Sequence, residues 1–291
     1  MAANPTMPTT DDTKSILITG CSSGIGHAAA HTLKARGYRV FATARKADDV
    51  QRLQTEGLES LRLDLDDGDS IDVAVDEVLE RTGGRLYGLF NNGGYGQPGA
   101  VEDIPTAAVR AQFETLVFGW HHLTRRVIPV MRRQGMGRII QNSSVLGFAV
   151  MPYRGVYSGA KFAIEGLSDA LRLELHGSGI HLSLVEPGPI LTRFRANSLK
   201  KLLANVDTQN SVHHTRYQAA LTRLQQEGPA MPFTLPPDAV VKRVIHALES
   251  PRPKPRYFVT VPTYLFWYLK RALPIRLMDR ILLKASGDGA R

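Results

Sequence analysis

A chain of 291 residues is long enough for two average domains or for one α/β domain of about 250 residues. Hydrophobic residues at 43% and charged residues at 22% exclude wholesale disorder and fibrous classes. The net charge of +9 is uneven: residues 1–199 carry 21 basic and 21 acidic side chains, whereas residues 200–291 carry 15 and 6, a distribution that excludes a uniformly basic nucleic-acid-binding domain.

Cys21 is the single cysteine, so neither an intrachain disulfide nor a cysteine metal cluster can form, and no metal site is assigned. That usage fits a reducing cytosol, and a cytoplasmic location is expected. Residues 1–14 are polar without an apolar core, unlike a signal or transit peptide, and residues 1–13 are expected to be a disordered tail. No run reaches the ~18 apolar residues of a membrane-spanning helix.

In chain order, short apolar runs alternate with longer helical patterns. Strands are predicted at 15–19, 40–44, 60–64, 86–90, 138–141 and 180–185, with a short seventh at 257–260. Helices are predicted at about 24–36, 46–56, 69–82, 105–134 and 155–177. The alternation implies a single doubly wound α/β domain with a parallel sheet of about seven strands and right-handed crossovers. Residues 192–236 break the rhythm: they are polar, lack a clear strand and end in prolines. Because they follow the sixth strand, they would overhang the ligand-binding edge of such a sheet. A substrate lid is expected there, with a plain surface elaboration as the alternative.

The first strand runs directly into Thr19-Gly20-Cys21-Ser22-Ser23-Gly24-Ile25-Gly26, which opens the first helix. Glycines let the chain turn tightly, and the N–H groups and dipole of the helix N-terminus can hold a pyrophosphate. The Gly-x-x-x-Gly-x-Gly spacing differs from G-x-G-x-x-G, and by itself it could be an ordinary tight turn. Cys21 is read as a small residue at a crowded turn. Strand two ends Ala42-Thr43-Ala44 and is followed by Arg45-Lys46, with no carboxylate at the tip to hold a ribose 2′-hydroxyl. A guanidinium suits a 2′-phosphate, so Arg45 favours NADP(H); the alternative is a solvated surface charge.

Tyr157 and Lys161 are four residues apart and share one helix face. An adjacent ammonium favours the phenolate, so the pair is expected to lower the tyrosine pKa and exchange a proton with a carbonyl or alcohol oxygen. Ser144, at the end of strand five, could bond the same oxygen. Tyr-x-x-x-Lys alone occurs by chance; with the serine and the glycine turn it becomes a constellation.

With these residues in view, the chain resembles the short-chain dehydrogenase/reductase family over residues 14–262. The matching motifs are TGCSSGIG at 19–26, Asp64, NNGG at 91–94, Ser144, YSGAK at 157–161 and EPGPILT at 186–192. The resemblance implies a Rossmann-type domain and hydride transfer between a nicotinamide and a carbonyl or alcohol. It implies that Tyr157 is the general acid/base and Ser144 the carbonyl-orienting hydroxyl. Lys161 would tune Tyr157, and Tyr157 and Lys161 would meet the nicotinamide ribose. Gly20, Ser22, Ser23, Gly24, Ile25 and Gly26 would hold the phosphates, Asp64 and Asn92 the adenosine half, and Pro187, Gly188, Ile190 and Thr192 the nicotinamide. Residues 44–50, 86–92, 161–175 and 185–194 resemble the 17β-hydroxysteroid and retinol dehydrogenase branch, and within it bacterial NADP-dependent aldehyde reductases more closely.

Two positions depart from the family pattern. The usual NNAG lacks its alanine at Gly93, and the usual Asn-x-x-Gly is Leu116-Val117-Phe118-Gly119. The family asparagine holds a water in a proton relay to the lysine, which leucine cannot do. A working but slowed enzyme is expected, with His121 and His122 considered as substitutes and read instead as packing or surface residues. An apolar aldehyde or ketone, retinoid- or steroid-like among the candidates, is the expected substrate. The alternative is a catalytically weak NADP-binding redox sensor or interaction module. Residues 263–291 form a basic apolar helical segment, expected either to pack on the domain or another subunit or to contact a membrane surface peripherally through 263–285. No nucleic-acid partner is expected. Family habit implies a homo-oligomer.

Overall fold

The computed structural model describes residues 14–225, 228–229 and 231–287; the expected tail at 1–13 lies outside the described residues. Seven strands form one parallel sheet in the order β3-β2-β1-β4-β5-β6-β7: β1 (Ser15–Ile18), β2 (Arg39–Ala44), β3 (Glu59–Arg62), β4 (Gly88–Asn91), β5 (Gly137–Asn142), β6 (Ile180–Glu186) and β7 (Arg256–Phe258). The helices are α1 (Gly24–Ala35), α2 (Ala47–Thr55), α3 (Gly68–Arg81), α4 (Thr106–Phe113), α5 (Gly119–Gln134), α6 (Gly155–Glu174), α7 (Phe194–Asn205), α8 (His214–Gln225), α9 (Asp238–Glu249), α10 (Val261–Ala272) and α11 (Ile275–Ala285). The doubly wound expectation holds strand for strand.

The strands are apolar on both faces because helices cover both. Leu17, Leu89 and Ile139 face a core shared with α3, α5 and α6. Ile16, Ile18, Phe90 and Ile140 point the other way, into a core shared with α1 and α9. Strand order reverses between β1 and β4, so the crevice beyond their carboxyl ends is where a ligand of such a sheet binds.

The pattern at 105–134 reads as one helix, and the structure keeps it continuous from Thr106 to Gln134 with one irregular turn between α4 and α5. A π-type turn spans Glu114–Phe118, where the Gly119 N–H bonds the Glu114 carbonyl five residues back. Such turns concentrate at functional sites. Residues 192–236 carry two helices, α7 and α8, rather than irregular chain. Tyr217 of α8 and Leu202 of α7 are buried together, a local core that polar composition concealed. The excursion is closed at its base: Ile190 bridges Leu235, the Leu191 N–H donates to the Leu235 carbonyl at 2.9 Å, and the Leu235 N–H donates to Pro189 at 3.2 Å.

The C-terminal segment packs on its own domain. Phe266 of α10 and Met278 and Leu282 of α11 bury against Val145, Phe148 and Ala149, which follow β5. No helix among the described residues is long and apolar enough to cross a membrane.

Candidate active site

The turn after β1 is shaped by steric necessity. Gly20 has φ +71°, and a Cβ there would lie 2.5 Å from the Gly93 Cα. At Gly26 a Cβ would meet the Gly20 carbonyl oxygen at 2.4 Å. The N-terminus of α1 therefore sits tight against both its own turn and the chain leaving β4. The first turn of α1 holds no acidic residue, and Ser23, which opens it, makes no capping bond with its side chain. These are the properties an anion-binding helix end needs. Gly24, at φ +63°, abuts Thr192, whose Cγ2 would lie 3.1 Å from a Cβ there. The expected phosphate turn and the expected nicotinamide-side segment thus meet. Cys21 is buried, its Sγ 3.3 Å from the Ile18 carbonyl, and burial pushes its thiol up to about 12, which fits a packing role.

A hydrogen-bonded chain runs from this turn to Lys161. The Thr19 hydroxyl accepts from the N–H groups of Asn92 and Gly93, each at 2.9 Å, and Asn92 Nδ2 donates to the Thr19 carbonyl at 3.0 Å. Asn142 Nδ2 donates to Asn92 Oδ1 at 2.9 Å, and Lys161 Nζ donates to the Asn142 carbonyl at 2.7 Å. Asn92 here braces the turn and positions Asn142. Asn142 and Trp120 were not singled out in the sequence. Trp120 lies under the Lys161 ammonium, 4.2 Å from ring centroid to Nζ, and its indole N–H donates to the Gly93 carbonyl at 2.9 Å.

Tyr157, Lys161 and Glu165 occupy successive turns of α6, all buried. The Ser144 hydroxyl accepts from the Leu146 N–H at 3.1 Å and lies near enough to the Tyr157 phenol to act on its protonation. The Val145 N–H donates to the Pro187 carbonyl at 2.8 Å, fixing the start of the Pro187–Thr192 segment beside Ser144. The three residues expected to do the chemistry are therefore together, beyond the sheet edge that also holds the glycine turn.

Their electrostatics depart from expectation. Burial dominates at Tyr157 and pushes its phenol up, with the Ser144 hydroxyl acting the other way. The Lys161 ammonium is 5.7 Å from the ring centroid of Tyr157, and burial pulls it down to about 7, with Glu165 opposing. The expected lowering of the tyrosine by its lysine is therefore not the leading effect here, because desolvation weighs on both groups.

Glu165 and Glu186 share one cation. Arg256 Nη1 bonds both carboxylates, at 2.6 Å to Glu186, and Nη2 bonds Asp169 at 2.6 Å. Burial raises both glutamates.

Arg45 stands at the tip of β2 with its side chain 59% exposed, 4.0 Å from Asp66. Asp64, just beyond β3, accepts from the Asp66 N–H at 3.2 Å within its own turn. Leu116 is buried in the core next to Trp120 and Tyr157. His122 pairs with Asp72 of α3 at 2.9 Å and His121 is exposed, so both are surface residues. Phe194, a residue sequence patterning did not single out, meets Tyr157 edge-on, with centroids 5.4 Å apart.

Residues 14–202 match the short chain dehydrogenase family. The chain belongs to that family. It is 46% identical over 269 residues to the uncharacterized oxidoreductase YbbO of Escherichia coli, covering 92% of this chain and 94% of that protein. The NADPH-dependent 3-dehydrocapnine reductase of Ornithobacterium rhinotracheale is 30% identical over 276 residues, covering 92% and 95%. Human 17-beta-hydroxysteroid dehydrogenase type 1 is 33% identical over 260 residues, covering 84% and 77%. The chain is thus an oxidoreductase of this family, related to the branch that its motifs resemble.

Proposed function

We propose that this protein is an NADP(H)-dependent carbonyl reductase acting on apolar aldehydes or ketones. The observation that carries the reading is the convergence of Ser144, Tyr157 and Lys161 beside a turn to which Lys161 is tied through Asn142 and Asn92. NADPH, when bound, would supply the hydride for the carbonyl carbon. Tyr157 would give its proton to the carbonyl oxygen, so that the aldehyde or ketone becomes the alcohol. Ser144 orients that oxygen. Lys161 would hold the nicotinamide ribose and take part in returning the proton to Tyr157.

The turn at Gly20–Gly26 fits the pyrophosphate through the helix N-terminus, and Arg45 directly follows β2, the place in the chain from which an arginine can accommodate a 2′-phosphate in this fold. The absence of a carboxylate at the end of β2 supports NADPH over NADH, as does the NADPH named for the Ornithobacterium relative. Phe194 over Tyr157 supports an apolar substrate, and the hydroxysteroid dehydrogenase relative points to the same class.

A second reading rests on Leu116. Its buried alkyl side chain, where the family carries asparagine, favours a weakly catalytic nucleotide-binding protein. NADPH and NADH consumption against aliphatic, aromatic, retinoid and steroid carbonyls separates the two. Turnover with NADPH, lowered by about 10²–10⁴-fold in Tyr157→Phe, is the expected result. Tight NADPH binding without turnover on any carbonyl supports the second reading.

A further inference from the structure

Outside this cluster, on the outer side of α1, two histidines converge on one carboxylate. His27 and His31 are one helical turn apart, and their rings lie side by side with centroids 4.5 Å apart. Both Nε2 atoms reach the same oxygen, Oε2 of Glu56, at 2.7 and 2.9 Å. Glu56 caps the C-terminus of α2, so residues distant in sequence are brought together by the fold. One ligand atom from each of the three lies within 4.8 Å of the other two. The side chains are 35%, 38% and 28% exposed, open enough for an ion to enter from solvent.

We propose that His27, His31 and Glu56 form a binding site for a divalent transition-metal ion of borderline softness, with Zn²⁺ the best match. Zn²⁺ takes imidazole nitrogen and carboxylate oxygen together at about 2.0–2.2 Å, which spaces tetrahedral ligand atoms about 3.4 Å apart. The existing nitrogen-to-oxygen distances of 2.7 and 2.9 Å need widening by about 0.5–0.7 Å. Two imidazoles among three ligands disfavour Mg²⁺ and Ca²⁺, which require oxygen sets.

The second carboxylate oxygen is already engaged. Arg52 Nη1 donates to Glu56 Oε1 at 2.6 Å, which leaves Oε2 for the ion and makes Glu56 a monodentate ligand of fixed orientation. Arg52 Nη2 in turn donates to the Ser22 carbonyl at 2.7 Å and to Asp49 at 3.2 Å, so the site abuts the glycine turn. Arg52 and Lys34, which donates to the Gly57 carbonyl, are the cations facing it. With three protein ligands and these charges nearby, the site binds more weakly than a four-ligand structural zinc and keeps a water-accessible position. The ion would cross-link α1 to the end of α2 and raise thermal stability by mass action.

The test is a chelator-competition titration of the full-length protein with Zn²⁺ at neutral pH. One Zn²⁺ per chain and a melting temperature that rises with Zn²⁺ are expected. His27→Ala and His31→Ala should each weaken binding by about tenfold or more, and Co²⁺ should give visible d–d absorption in the wild type that both variants lose. Absence of saturable binding to the wild type overturns the site, as do variants that bind like the wild type. Should either variant misfold, diethyl pyrocarbonate labelling of the wild type mapped by mass spectrometry decides. Zn²⁺ should protect His27 and His31 while leaving the exposed His121 reactive; labelling unchanged by Zn²⁺ overturns the proposal.

Discussion

The Leu116 Cδ2 methyl lies 2.4 Å from where a Cβ on residue 94 would stand, so the side chain that replaces the family asparagine is seated on the bare backbone of Gly94. The π-type turn at Glu114–Phe118 persists around it, and the side chain has joined the core with Trp120 and Tyr157. Leu116→Asn is close in volume but buries an amide among apolar groups, which costs about 1–3 kcal/mol. The expected outcome is a lower melting temperature together with a higher kcat, because the amide restores the water-holding group that the family resemblance implies for the lysine's proton relay. Steady-state kinetics and a thermal melt on the same preparation check both. An unchanged kcat means that Lys161 exchanges its proton by another route.

Arg45 is the charge on which cofactor choice is proposed to turn. Its guanidinium is mostly solvated and only 4.0 Å from Asp66, so it holds no strong internal partner that a 2′-phosphate would have to displace. Arg45→Ala should raise KM for NADPH by about tenfold or more, the loss of a charge-assisted hydrogen-bond pair, and leave KM for NADH nearly unchanged. Equal effects on the two nucleotides would reject the role.

The strands of the parallel sheet and the placing of Tyr157 and Lys161 on one helix and of Ser144 at a strand end were legible because each follows from a local signal. Apolar runs mark strands buried on both faces, and a four-residue spacing puts two side chains on one helix face. The link from Asn92 through Asn142 to Lys161 was not, because it joins side chains and carbonyls just past β4, on β5 and on α6, which only the fold brings together. The pairing of His27 and His31 with Glu56 is hidden in the same way, since the carboxylate comes from a different helix. The π-type turn inside 105–134 leaves no mark in periodicity, and the helices of 192–236 are polar enough to read as loop. The phenol of Tyr157 was misjudged for a further reason: spacing shows a neighbouring charge, whereas burial is a property of the assembled core.

Phe194 stands beside the proposed acid/base. It begins α7, meets Tyr157 edge-on at 5.4 Å, and its ring lies 2.7 Å from where a Cβ on Gly96 would stand. Removing the ring forfeits about 1.5–3 kcal/mol of apolar contact with a substrate held there. Phe194→Ala should therefore raise KM for small aliphatic aldehydes by about tenfold or more, with a smaller effect on bulky ring-containing carbonyls that fill the vacated space. A uniform loss across substrate sizes would remove Phe194 from the specificity surface.

Lys161 ties the site to a measurable pH dependence of folding. In the native protein burial lowers its pKa to about 7, whereas an unfolded lysine holds its proton to about 10.4. Below about pH 7 both states are protonated and the desolvation of the buried ammonium weighs fully against the native state. Between about pH 7 and about pH 10 the unfolded chain binds more protons, so this group's contribution to stability rises with pH. Lys161→Met removes that slope while also losing the bond to Asn142 and the contact with Trp120. Glu165 and Glu186, raised by burial, give the opposite slope above the ordinary glutamate range, but both remain in the variant and largely cancel in the difference. Urea unfolding of the two proteins across this range should therefore show wild-type stability gaining on the variant as pH increases. A difference that stays flat with pH would mean that Lys161 keeps its charge in the native state, and the hydrogen bond to Asn142, not burial, would then set its protonation.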